Sequence, residues 1–202
     1  MNHLKKIIVI GIFIILPNIL YAEVNLANFV VRNLEASQTP SVGNLNASYT
    51  IVEFFDYRCG YCAKQAKDFA KIINDKNDVR IIYLEYPIFG GISDIAANIA
   101  IKVWIDKPNS YFSIHNGLMK LGSAMNKNTI ISLLNENGFE GAKLYQLAES
   151  QPYADTIEIN KKLAKDLGLR GTPASIINDT MIPGYISEEN VLKIINETNA
   201  PT

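Results

Sequence analysis

Two cysteines, Cys59 and Cys62, are the residues of this sequence best suited to chemistry, and the chain contains no other cysteine. They enclose only Gly60 and Tyr61, so a disulfide between them would close a very short loop and would stabilise the fold little by the chain-entropy argument. Such a pair is a poor structural link and a good reversible redox couple. The spacing therefore predicts thiol–disulfide exchange, in which the sulfurs carry the redox equivalents and no cofactor is needed.

The position of Cys59 predicts which sulfur reacts first. The β-branched and aromatic run Thr50–Phe55 indicates a buried strand, and apolar residues recur at helical spacing from about Gly60. Cys59 therefore falls at a helix N-terminus, where free backbone N–H groups and the helix dipole stabilise a thiolate. Cys62 follows one turn later and is expected to lie deeper. We predict that Cys59 exchanges with a client protein and that Cys62 resolves the mixed disulfide.

A single carboxylate, Glu53, interrupts the apolar strand that precedes the cysteines. One interpretation is a solvent-facing residue of an alternating strand. The other is a buried carboxyl group beneath the pair, whose raised pKa lets it move protons to and from Cys62. We favour the second interpretation and predict a catalytic role for Glu53.

The dipeptide Thr172-Pro173 enters another predicted strand directly after Gly171. An X-Pro bond at such a place is a candidate for a cis peptide. A cis Pro173 would hold the Thr172 backbone beside the sulfurs, where it could pair with an extended client segment. Thr172, Gly60 and an exposed Tyr61 are accordingly predicted to contact clients.

Three further side chains near these motifs have less specific interpretations. His115 shares a helical pattern with apolar residues and is predicted to be packed rather than catalytic, and Trp104 is predicted to be a core residue. Arg58, beside Cys59, either adds positive potential or is a solvated charge.

The elements that must position these residues follow the order strand, helix, strand, helical block, strand, strand, helix. A strand–helix–strand unit implies a right-handed parallel crossover, and the last two strands form a predicted hairpin around Asn178 and Asp179. The sequence thus predicts an α/β protein with the thioredoxin fold, a mixed central sheet flanked by helices, with a helical insertion. The expected divisions are a leader over 23–48 with one edge strand, a thioredoxin-like domain over 49–92 and 168–200, and an inserted helical subdomain over 93–167.

Periodicity and stop signals give approximate bounds for these elements. Ser93 and Ser187 are predicted N-caps of the helices that follow them. The predicted helices cover 60–74, 93–105, 110–121, 129–137, 142–150, 154–167 and the residues after Ser187, and the predicted strands cover 50–55, 79–86, 173–177 and 181–186.

The first 22 residues have the pattern of a signal peptide. Lys5 and Lys6 precede an apolar run from Ile7 to Leu20, and Ala22 supplies the small residue at a cleavage site. The run is shorter than the roughly 20 apolar residues that a spanning helix needs, so cleavage near Ala22 is favoured over a membrane anchor. Export predicts a compartment where disulfides persist.

Charge and ligand counts exclude several kinds of partner. The chain has a formal net charge of −1 and no basic stripe, which disfavours nucleic acid and anionic lipid. A structural zinc site needs four ligands, and the two cysteines have too few companions, so no metal site is predicted. Because thiolates favour Cu(I), copper binding remains the least favoured alternative.

The motifs around the cysteines resemble those of the DsbA-like family of bacterial exported oxidoreductases, and most closely its ScsC-like (copper-sensitivity-suppressor) branch. The resemblance implies a thioredoxin fold with a helical insert, a periplasmic setting, and Cys59, Cys62 and cis-Pro173 as the working residues. It extends from Val42 to about Asn199 and rests on Val52–Cys62 and Leu167–Ala174, with support from Gly43-Asn44, Glu85–Ile88 and His115–Leu118.

Departures from the family pattern leave the direction of electron flow open. The best-known DsbA oxidases have Pro-His between the cysteines and Val before the cis-proline, whereas Gly60-Tyr61 and Thr172 are the combination of DsbC-like isomerases. Those isomerases carry a dimerisation module ahead of the catalytic domain, for which the leader before Ser48 is too short.

Three hypotheses follow from these features. The leading one is a periplasmic oxidase that forms disulfides in unfolded or partly oxidised exported proteins and is recycled by a DsbB-like membrane partner. The second is an isomerase or reductase kept reduced by a DsbD-like membrane partner. The third is a copper-binding or client-holding protein, in which the cysteine pair would act as a ligand set.

Overall fold

The sheet is organised around β2 (Tyr49–Phe55), whose seven residues are all buried. The computed structural model describes residues 25–197. The β-branched and aromatic composition of β2 suits a strand covered on both faces. Its residues of one parity, such as Ile51 and Phe55, enter the main core cluster, and those of the other parity, such as Val52 and Phe54, enter a smaller cluster on the opposite face.

The predicted mixed sheet with a parallel crossover is confirmed. Helix α2 (Gly60–Asp75) connects β2 to β3 (Val79–Glu85), which lies parallel to β2. The edge strand β1 (Ser41–Gly43) is antiparallel to β3, and β4 (Ala174–Ile177) is antiparallel to β2. With β5 (Thr180–Pro183) at the other edge, the strand order is β1-β3-β2-β4-β5. This is the thioredoxin arrangement expected from the sequence.

The predicted hairpin is confirmed, with a shorter second strand. Ile177 pairs with Thr180 across a two-residue turn, and Asn178 has a φ of 50°, as the tight turns of hairpins require. β5 ends at Pro183 because Gly184 adopts a φ of 105° and its N–H donates to the Pro173 carbonyl at 2.9 Å. The chain therefore turns back towards Pro173 instead of continuing as a strand to residue 186.

The helices predicted between β3 and β4 are present, and the final helix follows β5. The division of the chain into a thioredoxin-like domain and an inserted subdomain stays a prediction. The helices are α3 (Ile92–Asp106), α4 (Pro108–Leu121), α5 (Lys127–Glu136), α6 (Gly141–Ser150), α7 (Ala154–Asp166) and α8 (Glu188–Glu197).

One of the two predicted serine caps is wrong. The Ser187 hydroxyl accepts from the Asn190 N–H at 3.4 Å, as an N-cap does. Ser93 is not a cap, because α3 already begins at Ile92 and the Ser93 hydroxyl donates to Asp56 Oδ1 at 2.8 Å instead. The Ser93 hydroxyl bonds Asp56, in the turn after β2, and not the backbone of its own helix as the sequence pattern predicted.

The leader is more structured than the sequence indicated. It contains α1 (Leu26–Arg32) and a short 3-10 helix (Ala36–Gln38) ahead of the expected edge strand β1. Helix α1 forms because Ala27 and Val30 pack against the smaller core cluster, and the Ala27 N–H donates to the Asn178 carbonyl at 2.8 Å. The predicted signal peptide over 1–22 lies outside the described residues. Within 25–197, the helices are too short or too polar to cross a membrane.

Candidate active site

Cys59 is the N-cap of α2. Strand β2 ends at Phe55, and a turn brings the Cys59 N–H to within 3.0 Å of the Asp56 carbonyl. At this position the Cys59 sulfur accepts from the Cys62 N–H at 3.4 Å, in the place that a serine or aspartate oxygen takes in other helices. The strand-to-helix junction thus directs free backbone donors at one sulfur.

Hydrogen bonds to its sulfur lower the pKa of Cys59. The hydrogen bond from the Cys62 thiol is the largest effect, and although burial opposes it, Thr172 and the backbone N–H groups of Cys62 and Tyr61 help to lower the pKa of Cys59 from 9.0 to about 5. Cys59 is therefore a thiolate at neutral pH, which is the nucleophilic form.

Cys62 has the opposite character. Its side chain is fully buried, and both cysteines are free thiols in this structure. Burial raises the pKa of Cys62 far above its ordinary value, and the hydrogen bond to Cys59 and the charge of Glu53 raise it further. Cys62 therefore needs a proton acceptor before it can attack a mixed disulfide.

Glu53 lies on the cysteine side of the sheet and not in solvent. Its side chain is fully buried, so the solvent-facing interpretation is wrong. Burial raises the pKa of this carboxyl well above 4.5, and the charge of Cys59 raises it further. Neither carboxyl oxygen has a hydrogen-bond partner among the described residues. A buried, electrostatically coupled carboxyl group is what proton transfer to Cys62 requires.

The Thr172–Pro173 bond is cis, as predicted. The Cys59 sulfur lies 3.3 Å from the Thr172 carbonyl oxygen, to which it donates when it is protonated, so the backbone before Pro173 lies directly against the reactive sulfur. The segment is held on its other side by the Gly184 N–H, which donates to the Pro173 carbonyl. Backbone groups beside the sulfur are thus fixed in position for contact with an extended chain.

Asp56 is a positioning residue that sequence reasoning missed. Its carboxylate is buried and accepts from the Arg58 N–H at 2.8 Å, the Phe89 N–H at 3.0 Å and the Ser93 hydroxyl at 2.8 Å. It therefore joins the turn before Cys59 to the segment between β3 and α3. An aspartate directly after a buried strand and before a turn was the available signal, because such residues often bond the backbone two residues on.

Tyr61 and two further aromatic residues, Tyr185 and Phe89, belong to segments that contact the turn and helix carrying the pair. Tyr61 is 66% exposed, as predicted, and Gly60 is exposed beside it. The ring of Tyr185 lies 6.5 Å from that of Tyr61, and Phe89, held through its N–H by Asp56, is 54% exposed. Neither Tyr185 nor Phe89 could be assigned to the site from its local sequence, since both come from loops distant along the chain.

His115 is packed in the core, as the sequence predicted. It contacts the Tyr57 hydroxyl through Nδ1 at 3.2 Å, and burial lowers the pKa of His115 to about 3, so the ring is neutral. Tyr57 in turn donates to buried Glu85 at 3.0 Å. Trp104 is half-buried at the margin of the main core cluster, and Arg58 is exposed. None of these side chains contacts a sulfur through the hydrogen bonds observed.

A metal centre is not formed by the acidic, histidine and cysteine side chains of residues 25–197, because no three of them converge. The two sulfurs therefore have no third ligand of these types within the described part of the chain.

Comparisons with known proteins agree with this geometry. A family model described as Thioredoxin matches residues 35–197. The chain is 25% identical over 168 residues to Disulfide bond formation protein D of Bacillus subtilis (strain 168), a match that covers 78% of this chain and 76% of the relative.

Solved structures give the same result. A thioredoxin-like oxidoreductase from Silicibacter pomeroyi DSS-3 superposes with a TM-score of 0.74 at 27% identity, covering 83% of this chain and 95% of that one. The catalytic domain of Proteus mirabilis ScsC superposes with a TM-score of 0.72 at 27% identity, covering 80% of this chain and 89% of that one.

Proposed function

Because this chain belongs to the thioredoxin family and is a thiol–disulfide oxidoreductase of the DsbA/ScsC type, we propose that it oxidises cysteine pairs of exported proteins through Cys59 and Cys62. The observation that carries this direction is the N-cap position of the Cys59 sulfur, where hydrogen bonds, that from the Cys62 thiol first, lower its pKa to about 5. A thiolate stabilised to this extent favours the reduced form of the pair, and a pair whose reduced form is stabilised is a strong oxidant.

The reaction begins with the Cys59–Cys62 disulfide. A client thiolate attacks the Cys59 sulfur, the bond between the two cysteines breaks, and Cys62 leaves as a thiolate that takes a proton from Glu53. A second client thiolate then attacks the client sulfur of the mixed disulfide and releases Cys59 as a stable thiolate. Glu53 regains its proton from solvent. The client has lost two electrons and both thiol protons, the pair has gained two electrons and one proton, and the net release to solvent is one proton.

The surroundings of Cys59 support an unfolded client as substrate. The Thr172 backbone beside the sulfur offers main-chain contacts to an extended segment. The exposed rings of Tyr61 and Phe89 and the neighbouring Tyr185 offer apolar contacts that do not depend on a particular client sequence. The proposed roles are therefore exchange for Cys59 and Cys62, proton transfer for Glu53, and client contact for Gly60, Tyr61, Thr172 and Pro173.

Compartment and recycling complete the proposal. The N-terminal pattern over 1–22 and the family resemblance both favour a periplasmic protein. An oxidase must be reoxidised after each turnover, so a DsbB-like membrane partner is proposed to accept the electrons of Cys59 and Cys62.

The residues between the cysteines favour a second candidate, an isomerase or reductase maintained by a DsbD-like partner. Gly60 has no side chain and Tyr61 is 66% exposed, so neither contributes a side-chain donor to the Cys59 thiolate. The two candidates differ in the equilibrium of the pair and not in its chemistry.

The equilibrium of the pair with glutathione distinguishes these candidates. An oxidase predicts a potential near the roughly −120 mV of a strong oxidant, whereas a value near about −180 mV or below supports an isomerase or reductase. Ultraviolet absorbance of the thiolate during a pH titration should show Cys59 ionising at about pH 5, with C59S as the blank. A midpoint near 9 would contradict the oxidase assignment.

Trapping tests the exchange itself. C62A should accumulate mixed disulfides with exported proteins through Cys59, because the resolving thiol is absent, and C59A should accumulate none. If C62A retains no client in oxidising cells, thiol exchange with proteins is not the function of this chain.

A further inference from the structure

Three fully buried side chains have polar atoms without a hydrogen-bond partner among the described residues. One is His115, through Nε2, and the other two lie in the sheet behind the cysteine pair. These two are Glu53, through both carboxyl oxygens, and Ser175, through its hydroxyl. Buried polar groups nearly always have a partner, and an exception calls for an explanation such as a catalytic role.

The sheet register brings these two side chains together. Glu53 of β2 and Ser175 of β4 are direct partners in an antiparallel pair. Directly opposed residues place their side chains on the same face, with Cβ atoms about 5 Å apart. That face carries the cysteines, because Phe55 and Ile177, which share the side-chain direction of Glu53 and Ser175, belong to the core cluster that contains Cys59 and Cys62. The Glu53 and Ser175 side chains therefore project side by side from the face of the sheet that carries the sulfurs.

The other groups around Glu53 make a negative charge there costly. The Cys59 thiolate and the carboxyl of Glu85 oppose it, and Tyr83 lies directly beside it in the register of β3. Ser175 is a hydroxyl donor with no competing partner among the described residues. The titratable groups that interact with Glu53 are Cys59 and Cys62 of the α2 N-terminus, Tyr83 and Glu85 of β3, and Tyr111 of α4, next to which lies neutral His115.

We propose that the Ser175 hydroxyl donates a hydrogen bond to the Glu53 carboxylate whenever Glu53 has given up its proton, and so sets the pH at which Glu53 can accept the proton of Cys62. This role rests on the proposed function. Ser175 is a positioning residue, since it acts on the sulfurs through Glu53. When Glu53 holds the proton, rotation of the hydroxyl allows Ser175 to accept from it instead. Neither bond is formed in this structure, so the proposed pairing requires a change of side-chain rotamer.

The step that Ser175 supports is the resolution of a mixed disulfide. Glu53 takes the thiol proton of Cys62, and the Cys62 thiolate attacks the Cys59 sulfur. The bond between Cys59 and the client breaks, the client sulfur leaves with its electron pair and takes a proton from solvent, and the Cys59–Cys62 bond forms. The rate of this step rises with pH as Glu53 becomes a carboxylate. Loss of a donor to that carboxylate raises the pKa of Glu53 and moves the rise to higher pH.

A matched pair of variants tests the role of the hydroxyl. S175T keeps a hydroxyl, and S175V has the same branched shape without one. In stopped-flow reactions of the reduced protein with a small aromatic disulfide, the second phase reports resolution by Cys62. The pH midpoint of that phase should be unchanged in S175T and higher in S175V by about one unit or more, because a hydrogen bond to a charged group is worth that much. Coincident profiles for S175T and S175V would overturn the proposal.

The titration of Glu53 itself separates this proposal from the proposed function. Carbon NMR of reduced protein labelled in its glutamate side chains should give a higher midpoint for Glu53 in S175V than in S175T, whether or not the protein oxidises clients. An unchanged midpoint overturns the role of Ser175 even if exchange is active. S175A removes one oxygen and adds no bulk, so the comparison of S175A with the unaltered protein decides the question if the larger variants disturb the sheet.

Discussion

At the scale of single residues, the chemistry depends on two sulfurs of opposite acidity held one helical turn apart. The hydrogen bond from the Cys62 thiol, helped by the backbone donors at the N-cap position, lowers the pKa of Cys59 to about 5, while burial keeps Cys62 protonated. Cys59 is the more accessible of the two, at 8% exposed against 0% for Cys62. In the proposed mechanism Cys59 therefore reacts with clients first, and Cys62 reacts only after Glu53 has removed its proton. This order prevents the pair from presenting two competing nucleophiles to one client.

Asp56 should matter as much to stability as the cysteines matter to chemistry. D56A would leave the Arg58 N–H, the Phe89 N–H and the buried Ser93 hydroxyl without their acceptor. Since each unsatisfied buried group costs about 1–3 kcal/mol, we expect the free energy of unfolding to fall by about 3 kcal/mol or more. Denaturant titration of the reduced protein measures this change.

Asp75 supplies the control for lost negative charge. It is exposed at the end of α2, so D75A should change the free energy of unfolding by less than about 0.5 kcal/mol. Equal losses in D56A and D75A would show that the Asp56 hydrogen bonds do not hold the turn before Cys59.

At the scale of elements, α1 is part of the fold and not a dispensable leader. Val30 is 2% exposed and packs in the cluster that covers one face of β2 and β4, whereas Phe29 on the same helix is 60% exposed. V30A removes buried methyl groups and should lower the free energy of unfolding by about 2 kcal/mol. F29A should change it by less than about 0.5 kcal/mol. A larger loss in F29A than in V30A, measured by denaturant titration, would mean that α1 does not dock as observed.

The same helix shows where sequence reasoning reaches its limit. The central elements were predictable because β2 and α2 carry long, unmixed patterns, and the cysteine spacing fixed their junction. Helix α1 has only seven residues, and its two buried residues become buried only because the turn of the β4–β5 hairpin lies beside them. Ser93 was misassigned for a related reason, because its partner Asp56 is distant along the chain, in the turn after β2. Local periodicity does not encode contacts of this kind.

The residues of the candidate site also differ in whether the sequence alone reveals them. Cys59, Cys62 and cis-Pro173 could be found from spacing, and Glu53 from one charge in an apolar strand. Tyr185 and Ser175 could not, because their relation to the pair arises from the hairpin register and the loop after β5. Residues that carry the chemistry were visible in the sequence, and residues that adjust it became visible in the fold.

At the scale of the whole molecule, redox state and stability are linked through the proton of Cys59. The pKa of Cys59 is about 5 in the folded protein and near its ordinary value of 9.0 in the unfolded chain. Between these two values the unfolded reduced chain binds a proton that the folded protein does not. The stability of the reduced form therefore increases as the pH rises from about 5 towards 9, and this contribution is lost as the pH falls through about 5.

The oxidised protein lacks this ionisation, and its short disulfide loop adds little stability of its own. We therefore expect the reduced form to resist guanidinium unfolding better than the oxidised form at pH 7, with a gap in the free energy of unfolding that narrows as the pH is lowered towards 5.

Raised pKa values of buried Glu53 and Glu85 act in the opposite sense in both redox forms, since a buried neutral carboxyl loses its stabilising effect as the pH rises. The difference between the two redox forms therefore reports mainly on Cys59. C59S has no Cys59 thiolate and cannot form the disulfide, so its stability should lack the rise between pH 5 and pH 8 that the Cys59 ionisation gives the reduced protein. A gap that stays constant from pH 5 to pH 8 would show that the Cys59 thiolate does not stabilise the reduced molecule, and the case for a strong oxidant would fail with it.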